Sequence, residues 1–502
     1  MKKKLLILLS LSGLSGIFYT LSQPNFNLWF LSFFYILPAH IYARKNSGIL
    51  IWFLSNFFAW FGTVWWVTIA MTEYGGIPWP LAFLVLCILS AGISVFHIPF
   101  YLRFKLKIPF AFSDPLLIVS IEFIKTYALS GFPWSLLGYS LWEKTEMIQI
   151  ADLTGVYGVS FFVASVSGFI CDMYDYLFEG KRLTVIPSTL FCILLTLSVF
   201  VYGKSRISQI SDIEKKSESI AFIVAQGNVD QNTKWDDVNK LKNLENYISL
   251  TEVQLSATPV KLVVWPETAL TFFLTEKDLY NKLKEFVERY DLSVVAGAPA
   301  YEIKDGKILY YNRAYIFKSN SEKFYDKIHL VPFSERIPLR SVLERIPFVK
   351  RLIKEIEKVA GDFEKGKEAK VFDDGFKFSV FICYESIFPN LVRKFVKNGS
   401  ELLLNITNDA WFGRSQAPYQ HFSMAVLRAV ETRRYIIRSA NTGISGIIAP
   451  TGEVLKTTDI FVEDSFSGFA KKMDVKSFYV KYGDIFSFMC VFVVLLFLLI
   501  KR

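Results

Sequence analysis

Four side chains in this sequence could work together as a reactive set. Each stands just past a run of strand-forming residues or in a proline-bearing loop. Cys383 ends "SVFIC" and is followed at once by Tyr384 and Glu385. Glu267 comes directly after "LVVWP", where Pro266 turns the chain. Lys327 and Glu335 share "FYDKIHLVPFSERIP", which Pro332 and Pro338 keep irregular. An ordinary cysteine thiol titrates near ~8.5, so only a few per cent is thiolate at neutral pH. A nearby ammonium favours the thiolate, and a positioned carboxylate can take its proton. The residue types therefore suit thiol chemistry. Taken singly they suit duller roles too: a buried cysteine is often a small core hydrophobe, and a loop Glu or Lys is usually solvated.

The other cysteines sharpen the choice. Cys87, Cys171, Cys192 and Cys490 lie in apolar runs, so Cys383 is the single thiol of the polar middle of the chain and has no disulfide partner there. Only His329 and His421 fall in that region. His329, two residues beyond Lys327, stays open as an alternative base, whereas neither histidine lies in a nucleophile motif. One cysteine and two distant histidines also lack the close ligand spacing that zinc prefers, so neither metal nor cofactor is expected.

Composition says where this set is held. The 502 residues are 52% hydrophobic and 17% aromatic, with mean hydropathy +0.34, and the apolar residues crowd into positions 1–203 and 485–502. About 20 apolar residues cross a bilayer. Eight spans are expected, at roughly 5–22, 26–43, 49–71, 80–102, 109–130, 157–178, 185–203 and 485–500. The first follows "MKKK" without a clear cleavage site and is read as a retained helix. "MKKK", "ARKNSG", "RFKLK", "EGKR" and the final "KR" all fall on one side of this arrangement, and the alternate loops are nearly free of Lys and Arg. Both termini are therefore expected in the cytoplasm and residues 204–484 on the outer face. The formal charge of +10 is accounted for by these clusters, with no aromatic-basic motif to suggest nucleic acid. Glu122 and Lys125, three apart in the fifth span, share a helix face as a structural or functional pair.

Between the spans the pattern becomes α/β. "SIAFIVAQGN", "VKLVVWPE", "LSVVAGAP", "NRAYIFKS", "FKFSVFICYE", "ELLLNITND" and "GISGIIAPTGEVL" read as strands. "DVNKLKNLENYISLTEVQL", "EKDLYNKLKEFVERY" and "APYQHFSMAVLRAVETRRYIIR" carry helical periodicity. "KSRISQISDIEKKSES" reads as a tether. The division is a transmembrane domain at 1–203, an outer α/β domain at 204–484, and an eighth span with a cytoplasmic end at 485–502.

Glu, Lys and Cys in "WPE", "DKIHLVPFSER" and "CYE" contexts resemble the nitrilase, or carbon–nitrogen hydrolase, superfamily. "QGNVDQNTKW", "NITNDAWFG", "RSANTGISGIIAPTGEV", "GFPWSLLGYS", "ADLTGVYGVSF" and "YVKYGD" look like the apolipoprotein N-acyltransferases within it. The resemblance implies an αββα sandwich. It implies Cys383 as nucleophile, Glu267 as general base, Lys327 as the cation at the oxyanion, and Glu335 in support. Tyr384 and Glu385 would neighbour the nucleophile as substrate-binding residues, with Trp235 at the substrate entrance. Where the family often has arginine after an acidic residue in the fifth span, this chain has Lys125, which leaves a headgroup role there unassigned.

The implied reaction moves a fatty acyl chain from a phospholipid to Cys383 as a thioester. It then moves to the amino group of a diacylglyceryl-modified lipoprotein cysteine, in a bacterial inner membrane, by a monomer with its catalytic domain in the periplasm. Two other readings remain at this stage. A membrane-anchored amidase would use the same three residues on a small amide. A transporter or scaffold would leave Cys383 buried and unreactive.

Overall fold

The computed structural model describes residues 2–500 apart from 47, 181, 258–259, 338–339, 341–344 and 346–361. Pro338, Lys181 and the terminal Lys501 and Arg502 of the sequence reading lie outside the described residues. Among the described residues, four helices are long and apolar enough to cross a membrane: Lys2–Ser22, Trp79–Phe104, Val156–Glu179 and Thr184–Lys216. A fifth candidate is a broken pair, Ile49–Thr63 and Val67–Tyr74, bent by 57°. The eight expected spans are thus reduced to four or five of full length. The region expected as the second span is a 3-10 turn, Trp29–Phe33, and a short helix, Ile36–Asn46. The fifth, Phe110–Tyr127, carries Asp114, Glu122 and Lys125, and the last, Ile485–Ile500, has only 16 residues. Glu122 accepts from the Leu137 backbone N–H at 2.6 Å, and the Lys125 ammonium lies 4.0 Å from the Trp60 ring centre. The expected tether is helical as far as Lys216.

The polar middle of the chain is a sandwich of two six-stranded sheets. The first contains β1 (Ser219–Gln226), β2 (Leu262–Val264), β3 (Ser293–Lys304), β4 (Lys307–Lys318) and β5 (Ser321–Asp326). The second contains β6 (Phe372–Asp373), β7 (Lys377–Ile382), β8 (Leu402–Thr407), β9 (Ile436–Ala440), β10 (Gly446–Ile448) and β11 (Val454–Thr457). β12 (Asp464–Lys471) returns to pair antiparallel with β1, so the order of the first sheet is β12-β1-β2-β3-β4-β5. β1, β2 and β3 run parallel, as do β7, β8 and β9.

Period-2 alternation sorts the first sheet's side chains. Ile223, Val263 and Val294 join the core under the helices Asp237–Leu255 and Lys277–Tyr290, while Phe222, Leu262 and Val295 face the other sheet. The second sheet's parallel strands are buried throughout, which explains their continuous apolar runs. Three features were not anticipated: the strands β5, β6 and β12, the helix Pro389–Lys397, and the early end of the helix at Ala417–Thr432. Arg433, at φ +53°, breaks that last helix, and "YIIR" enters β9 instead.

Membrane helices and sandwich share one continuous core. Their joint is polar. Arg433 meets Asp152 at 2.9 Å, and Glu431 accepts from the Val156 N–H at 2.8 Å. At the bend of the broken pair, Gln416 and Gln420 donate to the carbonyls of Gly62 and Thr63. Backbone carbonyls freed at a bend need such partners, so the sandwich itself supports the kink.

Candidate active site

The reactive set converges where the carboxyl ends of β2 and β7 face each other across the sandwich. Ligand sites form at such ends because loops there are free to vary. Glu267 lies one short turn beyond β2, pressed onto β3. A Cβ at Gly297 would stand 2.4 Å from the Thr268 nitrogen and 2.7 Å from the Glu267 Cα, so only glycine permits this approach. Lys327 follows β5 and Asn312 sits in β4. Lys327 Nζ donates to Glu335 Oε1 at 2.8 Å and to Glu267 Oε1 at 3.2 Å. Asn312 Nδ2 donates to the same two oxygens at 2.9 and 2.7 Å. The backbone N–H of Asn408 holds the other Glu267 oxygen at 2.9 Å. Glu267, Lys327 and Glu335 are therefore one connected cluster.

Cys383 stands at the end of β7 with φ +48°, a conformation a non-glycine residue rarely adopts and one that concentrates at functional sites. Burial pushes its thiol pKa upward, the Glu267 carboxylate adds to this, and the Lys327 cation draws it back. The net direction is up. A nearby ammonium by itself favours thiolate, as expected from sequence, but desolvation and the carboxylates outweigh it here, so the resting group is a thiol. Burial also opposes the Lys327 charge, yet Glu267 and then Glu335 outweigh it and hold the ammonium protonated.

Glu385 and Tyr384, expected to bind substrate, have other contacts. Glu385 is fully buried, and its Oε1 accepts from Tyr325 Oη at 2.7 Å and from the backbone N–H groups of Ile328 and His329 at 2.7 and 3.1 Å. Its Oε2 accepts from the Ile382 N–H at 2.7 Å. Glu385 thus ties β7, the strand that ends at Cys383, to the loop just after Lys327. Its pKa is pushed up to about 7 by burial, against those donors. Tyr384 is buried and reaches the Gly131 carbonyl of the membrane region at 3.4 Å. Trp235 is 45% exposed.

His329 is occupied elsewhere. Its Nε2 is 3.0 Å from the Ser130 carbonyl, its ring is 3.6 Å from the centre of Phe388, and burial lowers its pKa to about 4. His421, which lies in no nucleophile motif of the sequence, comes to Cys383: Nε2 lies 3.1 Å from the Cys383 carbonyl oxygen and 2.8 Å from Ser386 Oγ. A Cys383, Asp409 and His421 ligand atom each fall within 4.8 Å of one another. Sequence spacing had argued against such a cluster. A cation there would compete with Arg438, whose Nη2 is 2.8 Å from Asp409 Oδ2 and 3.0 Å from His421 Nδ1.

Lys234 was also missed. It is buried near Glu267, donates to Thr268 Oγ1 at 2.6 Å, and burial lowers its pKa to about 8 while Glu267 draws it back. The signals were present in quoted motifs: Lys234 precedes Trp235 in "TKW", and charged residues interrupt apolar or strand-like runs in "NITNDAWFG" and "RSAN".

Comparison with known proteins finds relatives along most of the chain. Residues 223–464 match the carbon–nitrogen hydrolase family model, and residues 15–169 match the apolipoprotein N-acyltransferase N-terminal domain. An apolipoprotein N-acyltransferase of Geobacter metallireducens is 35% identical over 494 residues, covering 95% of this chain and 92% of the relative. Those of Haemophilus influenzae and Wigglesworthia glossinidia brevipalpis are 30% and 31% identical. They cover 91% and 97% of this chain and 87% and 97% of their own lengths.

Proposed function

Since the chain belongs to the apolipoprotein N-acyltransferases, we propose that its acyl transfer runs through a thioester on Cys383, with Glu267 as base and Lys327 as the cation at the oxyanion. The protein is a membrane acyltransferase whose substrates are a lipoprotein and an acyl donor. The observation that carries the residue assignment is the cluster itself: two carboxylates and one ammonium, mutually bonded, facing a lone thiol on a left-handed backbone.

In the first half, Glu267 removes the thiol proton as sulfur attacks a phospholipid ester carbonyl. Because the resting group is a thiol, proton removal accompanies attack. Lys327 donates to the developing oxyanion. The tetrahedral centre collapses, the C–O bond breaks, and Glu267 returns the proton to the departing lysophospholipid alkoxide. In the second half, the neutral amine of a diacylglyceryl lipoprotein cysteine attacks the thioester and Glu267 takes an amine proton. The C–S bond breaks, and the proton passes to the thiolate. Glu335 and Asn312 hold Glu267 and Lys327 together through both halves. Exclusion of water protects the thioester from hydrolysis.

Eight crossings, with both termini cytoplasmic and the division at 203 and 484, complete the proposal. The one-sided Lys and Arg clusters support the orientation. The shorter helices would cross as parts of the bundle, packed against the full-length ones. Trp235, exposed beside the buried Lys234, suits the rim where lipid enters, and Tyr384 touches the membrane region at the Gly131 carbonyl. A single chain supplies every residue of the site, which suits a monomer. The test is intact mass after incubation with a defined phospholipid. A gain of one acyl group on the wild type, absent in Cys383→Ala, is expected, and an unacylated wild type overturns the reading.

A further inference from the structure

The fold encloses a second polar array, behind the nucleophile, that the acyl-transfer scheme leaves unused. Ser386, His421, Asp409, Arg438 and Thr407 are all fully buried. Ser386 Oγ to His421 Nε2 is 2.8 Å and His421 Nδ1 to Asp409 Oδ1 is 2.9 Å, the spacing of a Ser–His–Asp hydrolytic set. It is not placed as one. No substrate reaches a wholly buried serine, and a second acceptor competes for the imidazole: the Cys383 carbonyl oxygen, 3.1 Å from Nε2.

That carbonyl decides the proton inventory. It can only accept, so Nε2 must carry hydrogen. Nδ1 lies between an acceptor, Asp409 Oδ1 at 2.9 Å, and a donor, Arg438 Nη2 at 3.0 Å, so the hydrogen on Nε2 is fixed by the carbonyl alone. Burial, the largest influence on this ring, favours its neutral form. Arg438 is held in turn by Asp409 Oδ2 at 2.8 Å, by the Ile444 carbonyl at 3.1 Å and by Asn405. Thr407 Oγ1 donates to Asp409 Oδ1 at 2.9 Å and also lies in hydrogen-bonding reach of the Cys383 thiol. The chain of contacts leaves the cysteine at its carbonyl and returns to it at its sulfur.

We propose that His421 is a positioning residue for Cys383. It donates from Nε2 to the cysteine's carbonyl, with Asp409 and Arg438 fixing the ring, and so holds the left-handed backbone that aims the thiol toward Glu267 and Lys327. The inference rests on Cys383 being the nucleophile. A left-handed cysteine costs energy and persists only where its surroundings enforce it. The histidine supplies that enforcement on one side of the residue, as Glu385 does on the other through the Ile382 N–H.

The test measures acyl-enzyme formation from phospholipid on the full-length protein in detergent. With His421→Ala, the saturating acylation rate should fall between about 5- and 150-fold, the span implied by orphaning one buried acceptor. The donor concentration at half-saturation should stay unchanged, and Cys383 alkylation by iodoacetamide should fall in step. His421→Gln can still present an N–H to the carbonyl and should recover most of the rate. Acylation within twofold of wild type in His421→Ala, or an effect confined to half-saturation, overturns the proposal. A glutamine variant as slow as the alanine variant at equal folded fraction does so too. Should both variants unfold, nitrogen NMR of ¹⁵N-histidine wild type decides: an Nε2–H tautomer is required, and an Nδ1–H tautomer overturns the proposal. If the wild type itself takes no acyl group, the nucleophile reading fails instead, and the two failures are thus distinguishable.

Discussion

The two sheets contribute different things to one pocket. The first brings charge: Glu267 beyond β2, Lys327 beyond β5 with Glu335 in the loop that follows, and Asn312 in β4 bridging the two carboxylates. The second brings geometry: one thiol on a strained backbone, with Glu385 and His421 bonded to groups on either side of it. Ionised groups can be replaced by near-isosteres that keep shape and lose charge, whereas a constrained backbone is felt through any residue that enforces it. The two halves should therefore fail differently when broken.

The largest effect belongs to the point where both halves meet. Cys383→Ala should show no acyl-enzyme in an intact-mass assay while remaining folded, since the side chain is small and the bonds around it are made by backbone and by Glu385. Acyl-enzyme recovered from that variant would remove the nucleophile assignment.

Next come the charges. Glu267→Gln keeps the bond from the Asn408 N–H but removes the base, and both half-reactions should slow by about 10²–10⁴-fold. Lys327→Met should weaken oxyanion stabilisation by roughly 2.7–4 kcal/mol. It also leaves two buried carboxylates facing each other without their cation. Cys383 alkylation should then need higher pH than in wild type, because the Lys327 charge that draws the thiol pKa down is gone. An alkylation profile that overlays wild type would show that the lysine does not face the thiol.

How much of this was legible beforehand follows from which interactions are local. Glu267, Lys327, Glu335 and Cys383 could be found because each sits at the end of a recognisable strand or in a proline-marked loop. Asn312 and His421 could not. Their importance comes from register and crossover: β4 pairing with β5 sets Asn312 beside Lys327, and helix Ala417–Thr432 lays His421 under β7. Glu385 was singled out for the right neighbourhood, but its four donors come from segments up to 60 residues away. In the membrane part, hydropathy located the apolar stretches. The bend at Thr63 depends on Gln416 and Gln420, more than 350 residues later, and no window average reports that.

A smaller effect tests the geometric half. Glu385→Gln keeps size but puts an amide NH2 against backbone N–H donors, a mismatch of roughly 1–3 kcal/mol. It should lower acylation about 5- to 150-fold by the same measure, without moving the donor concentration at half-saturation. The pH signature has a definite sign. Burial raises this carboxyl to about 7 in the folded protein, against about 4.3 when unfolded. The folded state thus binds the proton more tightly, and the group's contribution to stability declines as pH rises through that window. Wild-type melting temperature should fall relative to Glu385→Gln between about pH 5 and 7. Parallel curves would show that the carboxyl titrates in the ordinary range.

The smallest effect separates the two histidines of the catalytic domain, one beside each half of the pocket. His329 lies near the charge-bearing loop, two residues from Lys327, and was the natural alternative base. Its ring, however, packs on Phe388 and its Nε2 meets the Ser130 carbonyl of the membrane region. A ring whose pKa burial lowers to about 4 is already deprotonated at neutral pH, yet a base must also reach the thiol proton, and this one is turned to a carbonyl that requires Nε2 to be its donor. His329→Gln keeps a donor for Ser130 and loses only the stacking, so acylation should stay within a few-fold of wild type with an unchanged pH profile, corresponding to less than ~1 kcal/mol. A loss comparable to that of Glu267→Gln, together with a displaced pH limb, would transfer the base from the carboxylate to the imidazole. The first sheet would then contribute only the cation.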